Sequence, residues 1–303
     1  MASSDVLPFA LASAVVVCQQ CDAIAALPHV LQAISEFADT SAGLKYSEAA
    51  ATGNLQLVQR VHAMQEAKKK TETETKAYSH RVPVDTACNV ELAIEAAATH
   101  GHLHVVQWLH HTFPNRKCTW AIEIAAEHGH LDIMMWLHAN SSIDRTSMAA
   151  MDEAARHGHL HIVKWLHANR SEGCTTRAMD CAAQCGHLEL VQWLHANRQE
   201  GCTTQAMDWA ARQGHLNVVQ WLHQNRREGC TSMAIDGAAA NGHLHIVMWL
   251  HEICKVKWTH NATRNAAKHG HDHVVAWLEL QSRLKLMETN VHMSVAHMAV
   301  ISC

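Results

Sequence analysis

The sequence lacks any apolar run long enough to cross a membrane. Its most apolar stretch near the N-terminus, residues 6–17, is shorter than the roughly 18 apolar residues that a membrane helix needs. The stretch resembles a signal peptide, but it lacks a basic n-region and follows Asp5 instead. We therefore expect no contact with a membrane and a cytoplasmic protein. A nuclear location stays open, and secretion is the less favoured alternative.

Charge of one sign is also lacking. The chain has 24 basic and 28 acidic side chains, interspersed along its 303 residues, and a formal net charge of -4. A uniform basic field, which attracts phosphate backbones, is therefore absent, and we do not expect a nucleic-acid partner. Histidine is abundant instead, with 28 residues. Because imidazole titrates near pH 6.5, we expect acid to destabilise this fold.

The recognised catalytic motifs are missing as well. We find no nucleophile elbow, Walker loop, dinucleotide fingerprint or HExxH helix. Cys18 and Cys21 have CxxC spacing, but a structural zinc site needs a second pair of ligands and the sequence has no other CxxC. We therefore expect no enzymatic activity, no cofactor and no metal site.

A repeat occupies most of the chain. It reads Ala-[Ile/Met]-[Asp/Glu]-x-Ala-Ala-x-x-Gly-His-Leu, followed by [Val/Ile/Leu]-[Val/Met]-x-Trp-Leu-His after one further residue. Its glycine recurs every 28 residues, and once after 29, at Gly101, Gly129, Gly158, Gly186, Gly214, Gly242 and Gly270. A tryptophan follows seven residues after each of these glycines. Such a period is typical of solenoids, in which each unit buries its apolar face against its neighbours.

Each unit predicts two helices. In the unit at residues 175–202 the first begins near Thr175 or Thr176, whose hydroxyl can cap the free amides. Asp180 would add negative charge near the positive end of that helix. Gly186 can end the first helix because glycine adopts positive φ freely.

The second helix of this unit, residues 187–198, carries a broad apolar stripe that predicts the core between repeats. Asn197 can close it in a left-handed cap, and Gly201 can turn the chain toward the next unit. Since no segment shows strand-like alternation, we expect an all-α fold.

The segment Ala-Ala-Arg-Gln-Gly-His-Leu-Asn-Val-Val at residues 210–219 resembles the ankyrin repeat. The resemblance implies an ankyrin-like helical solenoid of about eight helix-turn-helix repeats. The family's usual unit has 33 residues, so the β-hairpin fingers of this divergent, short subtype are expected to be short or absent.

The pattern predicts five segments along the chain. They are an N-terminal helical cap (1–45), a degenerate first repeat (46–63), a charged insertion loop (64–87), a seven-repeat array (88–280) and a C-terminal cap or tail (281–303). Within the cap, Leu27-Pro28 and the helical stripe after it faintly resemble the start of an F-box.

Repetition aligns equivalent side chains into columns. The acidic column contains Glu95, Glu123, Asp152, Asp180, Asp208 and Asp236, and one histidine column follows the glycines from His102 to His271. A second histidine column stands nine residues after the glycines, as at His195, except after Gly270, where Glu279 takes this position. Metal binding needs ligands that converge on one point, whereas columns distribute them one per layer. The ankyrin resemblance implies instead that these groups join adjacent repeats through hydrogen bonds.

Several cysteines also align at one position of the repeat. Cys174, Cys202 and Cys230 occupy one repeat position, and packed helices lie about 8–10 Å apart, too far for a disulfide. We expect thiols and, because the total of eleven cysteines is odd, a reducing compartment.

The resemblance also implies where a partner binds, namely at variable residues of the inner helices and adjoining loops. The candidates on the helices are Arg177, Gln184, Gln205, Trp209, Arg212 and Met233. The candidates in the loops are Arg170, Glu172, Arg198, Glu200, Arg226 and Glu228, for which a solvated rim is the competing interpretation.

We therefore predict a monomeric, non-catalytic protein-protein interaction module or scaffold that binds an unknown protein partner. One alternative is a substrate adaptor whose F-box-like segment recruits ubiquitin-ligase machinery. The other is a secreted effector-type ankyrin protein.

Overall fold

The computed structural model describes residues 44–75, 86–114, 119–140 and 147–301. The chain divides into two compact units, Met1–Ala150 and Met151–Cys303. Within the described ranges all regular structure is helical, and no strand is present. The predicted all-α fold is confirmed, and the described connections between repeats carry no β-hairpin.

Within its described residues, the first unit contains three helical pairs. Its helices are α1 (Tyr46–Ala51), α2 (Leu55–Thr75), α3 (Thr86–Thr99), α4 (Leu103–Thr112), α5 (Thr119–Glu127) and α6 (Leu131–Asn140). The first helix of each pair packs against the first helix of the next, so that α1 contacts α3 and α3 contacts α5.

The second unit contains five pairs, the first of which begins at the boundary. Its helices are α7 (Ala149–Arg156), α8 (Leu160–Asn169), α9 (Thr176–Gln184), α10 (Leu188–Asn197), α11 (Thr204–Gln213), α12 (Leu216–Asn225), α13 (Ser232–Ala240), α14 (Leu244–Glu252), α15 (His260–Lys268) and α16 (Asp272–Ile301). The first helices α9, α11, α13 and α15 again pack in succession.

Threonine starts the first helix of the later repeats. Thr175 has an extended backbone, and its hydroxyl accepts a 3.1 Å hydrogen bond from the amide of Arg177. The same cap recurs at Thr203, Thr231 and Thr259. The N-cap is therefore Thr175 and not Thr176.

Glycine ends each first helix. Gly186 has φ +80°, and the amide of His187 donates 2.9 Å back to the carbonyl of Ala182. A Cβ on Gly186 would also lie 2.6 Å from Nδ1 of His215 in the next repeat. Both its conformation and the neighbouring imidazole therefore require glycine at this position.

The core consists of small residues on the first helix and branched residues on the second. Ala182 and Ala183 are fully buried, which lets successive first helices approach closely. On α10 the buried residues are Leu190, Val191 and Leu194. Trp193 lies within the predicted apolar stripe of this helix but is only half-buried.

Two predictions about segment ends are wrong. Residues 64–75 belong to α2 and not to a loop, because they contain good helix formers and no glycine or proline. Residues 76–85 of the predicted loop lie outside the described residues. Asn197 does not form a left-handed cap, since α10 passes into an extended Arg198 and the Asn197 amide donates to the carbonyl of Trp193.

The C-terminal tail continues the last repeat. Helix α16 runs without interruption from Asp272 to Ile301, which follows from the absence of glycine and proline in this stretch. Among the described helices, none combines the length and apolar character needed to cross a membrane.

A comparison of two glycines tests whether the imidazole of the next repeat restricts the residue at this position. Gly270 has φ +76°, but a Cβ there would meet nothing within 4 Å. We expect Gly270→Ala to lower the free energy of unfolding by roughly 1–2 kcal/mol, because alanine is strained in the left-handed conformation. Gly186→Ala should cost more, because it also displaces the His215 imidazole. Urea unfolding of both variants measures the difference, and equal losses of stability would refute the packing role of the imidazole.

Candidate partner-binding surface

Five members of the acidic column join their repeat to the next. In Asp180, Oδ1 accepts from the backbone amide of Thr203 at 2.8 Å and Oδ2 accepts from the Thr203 hydroxyl at 2.8 Å. The same pair of hydrogen bonds links Asp152 to Thr175, Asp208 to Thr231 and Asp236 to Thr259, and Glu123 to Ser147 in the first unit.

This geometry corrects the role expected for Asp180. The side chain is 1% exposed and serves the N-terminus of the following first helix, not that of its own. Burial raises the pKa of Asp180, while the hydrogen bonds from Thr203 oppose that rise. The acidic column is therefore engaged in holding repeats together.

The histidine after each glycine also joins layers. In the first unit, Nε2 of His102 lies 3.1 Å from the carbonyl oxygen of Ala51, and Nε2 of His130 lies 3.1 Å from that of Thr99. In the second unit, His187 bonds the backbone of Arg156. The hydrogen-bonded role implied by the resemblance is confirmed for these histidines.

The second histidine column contacts the tryptophan column. The imidazole and indole rings make T-shaped contacts. Their centroids lie 5.3 Å apart for His167 with Trp193 and 5.2 Å apart for His195 with Trp221. His62 and Trp108 in the first unit make the same T-shaped contact at 5.5 Å. Both columns are visible in the sequence, but their contact is not, because the two rings belong to successive repeats.

The loop charges form pairs within each loop. Arg198 pairs with Glu200, and its NH1 also lies 3.2 Å from Nδ1 of His167. Although burial alone would raise it, hydrogen bonds from Arg198 and backbone amides hold the pKa of Glu200 at about 2. Equivalent ion pairs join Arg226 to Glu228 and Arg170 to Glu172. All six side chains are half-buried and engaged in local structure.

The described cysteines are thiols, as expected for Cys174, Cys202 and Cys230. Burial raises the pKa of Cys174 and Cys202 to about 11 and that of Cys230 to about 12, which keeps them protonated and unreactive at neutral pH. Within the described ranges, no three His, Cys, Asp or Glu side chains are arranged to hold a metal ion.

The varying side chains lie on one side of the first helices. We define the first-helix face as the second, sixth and ninth residues of α9, α11 and α13. The second position carries Arg177, Gln205 and Met233, all exposed, with Met233 at 62%. The Arg177 guanidinium lies 3.7 Å from the carboxylate of Glu153 on α7.

The sixth and ninth positions complete the face. Trp209 and Gln184 are half-buried, and Arg212 is exposed. Arg212 and Gly237 touch across the layers, since a Cβ built on Gly237 would lie 3.0 Å from Cβ and 3.2 Å from Cγ of Arg212. The structure therefore brings the six predicted helix residues onto one face. The predicted loop residues instead form an Arg–Glu ion pair within each loop.

Two features of the first helices were not predicted. Gly237 supports Arg212, a contact between adjacent repeats. In the first unit, Leu92 on α3 and Trp120 on α5 stand at the same repeat position as Arg177 and are 46% and 67% exposed. Both stand nine residues before the glycine of their repeat, and this spacing could have identified them as candidates for the exposed side of the first helices.

Removing one carboxylate tests the bond between layers. Asp180→Ala leaves the amide and hydroxyl of Thr203 without their acceptor, so we expect a loss of about 1–3 kcal/mol in unfolding free energy. A double-mutant cycle with Thr203→Ala, measured by urea unfolding, should be non-additive, because both changes remove one interaction. Additive losses would show that the two side chains act independently.

The histidines predict a pH dependence. Burial lowers the pKa of His102, His187 and His243 below the reference of 6.5. The unfolded chain therefore binds more protons, and the stability from these groups is present above pH 6.5 and decreases as the pH falls through that value. Circular-dichroism melting between pH 8 and 5 should show this loss. His187→Gln should make the decrease shallower, and an unchanged slope would contradict the assignment.

Comparison with known proteins agrees with this geometry. The family model for ankyrin repeats, which describes three copies, matches residues 94–180 and 153–236. No curated protein matches the chain. The matched residues contain the paired helices, the left-handed glycines and the hydrogen-bonded histidines described above, and ankyrin repeats are generally protein-protein interaction modules. Residues 94–236 of the chain therefore form an ankyrin-repeat array.

Proposed function

We propose that the protein is a non-catalytic interaction module that binds a protein partner through the first-helix face of its second unit. The observation that supports this proposal is that one set of side chains holds the repeats together and another set faces solvent. The repeated columns contact neighbouring repeats, whereas Arg177, Gln205 and Met233 change from layer to layer and point into solvent.

The chemistry of the face suits a protein interface. Tryptophan and arginine are the side chains most often found where interfaces derive their binding energy. Trp209 and Arg212 stand three residues apart on α11 and so lie on the same side of that helix. Met233 adds a flexible apolar surface in the next layer.

The loop charges contribute less in this proposal. Arg198 and Glu200, like their equivalents, are half-buried and neutralise each other, so a partner would have to break an existing ion pair to use them. We therefore assign recognition to the helix residues, with Gln184 at the edge of the face. The proposal includes the monomeric state and cytoplasmic location expected from the sequence.

The two alternative functions depend on residues 1–45, of which residues 1–43 lie outside the described part of the chain. An F-box-like adaptor and a secreted effector would both still need a surface that selects a partner. The first-helix face supplies that surface in either case.

Proximity labelling tests the proposal. We expect the full chain, fused to a biotin ligase and expressed in its native cell, to label a defined set of proteins. The triple variant Trp209→Ala, Arg212→Ala, Met233→Ala should lose that set, because it removes the large contacts from the face.

A matched control replaces exposed residues of the second helices, in the variant Glu189→Ala, Gln192→Ala, Asn217→Ala. It should label the same proteins as the unmodified chain. Both variants are compared by thermal melting. Retention of the set by a folded triple variant would place the binding surface elsewhere.

A further inference from the structure

We infer that the partner binds through an acidic peptide segment that places an apolar side chain against Trp209 and a carboxylate against Arg212. This inference rests on the proposed function and adds the chemistry of the ligand. It is carried by the charges that the first helices expose and by the contact between Arg212 and Gly237.

The acids of the second unit's first helices are engaged. Asp152, Asp180, Asp208 and Asp236 each accept hydrogen bonds from the threonine of the next repeat. The remaining acid on α7, α9, α11, α13 and α15 is Glu153, which lies 3.5 Å from Arg156 and 3.7 Å from Arg177.

The bases of the same helices remain in solvent. These five exposed residues are Arg156, Arg177, Arg212, Arg264 and Lys268. Two of them, Arg177 and Arg212, belong to the first-helix face, which contains no acidic residue, although the whole chain carries a net charge of -4. Complementary charge steers association and selects against partners of the same sign, so a ligand for this face should be acidic.

The indole of Trp209 supplies the apolar contact. It stands at the sixth position of α11 and is partly exposed, whereas the same position of α13 is Gly237, which has no side chain. An apolar side chain of the ligand can pack against the exposed part of the ring.

Gly237 also determines where Arg212 lies. The Cβ and Cγ atoms of Arg212 occupy the space that a Cβ at position 237 would enter, at 3.0 and 3.2 Å. Arginine is suited to bind a carboxylate in a bidentate manner, provided that its stem is held in place. Trp209, Arg212 and Gly237 thus define a subsite for an apolar residue next to an acidic one.

Peptide is favoured over nucleic acid as the anionic ligand. Binding to a phosphate backbone depends on neutralising many phosphates, and the net negative charge of the chain opposes a long polyanion. A short acidic segment requires only the local cations.

Selection from a random peptide library tests the inference. Phage displaying random 12-residue peptides are panned on the purified full chain, and enriched peptides are synthesised with a fluorescent label. We expect Asp or Glu next to an aromatic or large aliphatic residue. Fluorescence anisotropy should show that Arg212→Glu, or replacement of the peptide's acids by Lys, weakens binding by about tenfold or more.

A glycine substitution separates positioning from folding. Gly237→Ala introduces a methyl group that must shift the Arg212 stem, and it lies inside a helix, where alanine is the better helix former. We expect a severalfold loss of peptide affinity, measured at a temperature well below the melting of both the variant and the unmodified chain. Asn217→Ala on a second helix is the control and should bind normally. Unchanged affinity for Gly237→Ala would overturn the subsite.

The outcomes distinguish this inference from the proposed function. Enrichment of neutral or basic peptides that require Trp209 would overturn the acidic ligand and leave the face in place. Peptides that bind the triple variant Trp209→Ala, Arg212→Ala, Met233→Ala as well as the unmodified chain would overturn the face itself. Tighter binding of a labelled 12-nucleotide oligothymidine than of any selected peptide at physiological salt would replace the peptide by nucleic acid.

Discussion

The bond from the carboxylate of one repeat to the first helix of the next is the interaction on which the second unit depends. A helix begins with amides that have no partner within it, and the threonine hydroxyl satisfies one of them. The backbone amide and hydroxyl of Thr203 then still need an acceptor, and Asp180 in the preceding layer provides both of its oxygens. Each first helix is therefore completed by its neighbour, which fixes its position along the stack and makes a single unit insufficient by itself.

Two further contacts hold the same layers at other points. The histidine after the glycine, such as His187, bonds the backbone of the preceding repeat where the first helix ends. The histidine near the end of the second helix, such as His167, meets the tryptophan of the next layer. Three contacts at separate points of each repeat prevent one layer from rotating or sliding on the next. This explains why the short connection between repeats suffices without a β-hairpin.

Much of this architecture could be predicted from the sequence. The period, the two helices, the helix-ending Gly186 and the threonine cap all follow from local preferences that one repeat expresses by itself. What could not be predicted depends on contacts between repeats. Asp180 serves another helix than its own, and Gly237 supports Arg212 from the next layer. For residues 64–75, mixed charge indicated a loop, but helix-forming residues without glycine or proline continue α2.

The same internal contacts determine the charge of the candidate surface. Because four carboxylates of the second unit's first helices are engaged at helix starts, they are unavailable to balance the arginines on the outside. The outer positions of α9, α11 and α13 then differ from layer to layer without disturbing the stack, since no inter-repeat column passes through Trp209 or Met233. Stability and recognition are thus carried by different positions of one repeat. The arginines beside the Trp209 indole are left without acidic neighbours on the face because the aspartates of these helices bond to the next repeat.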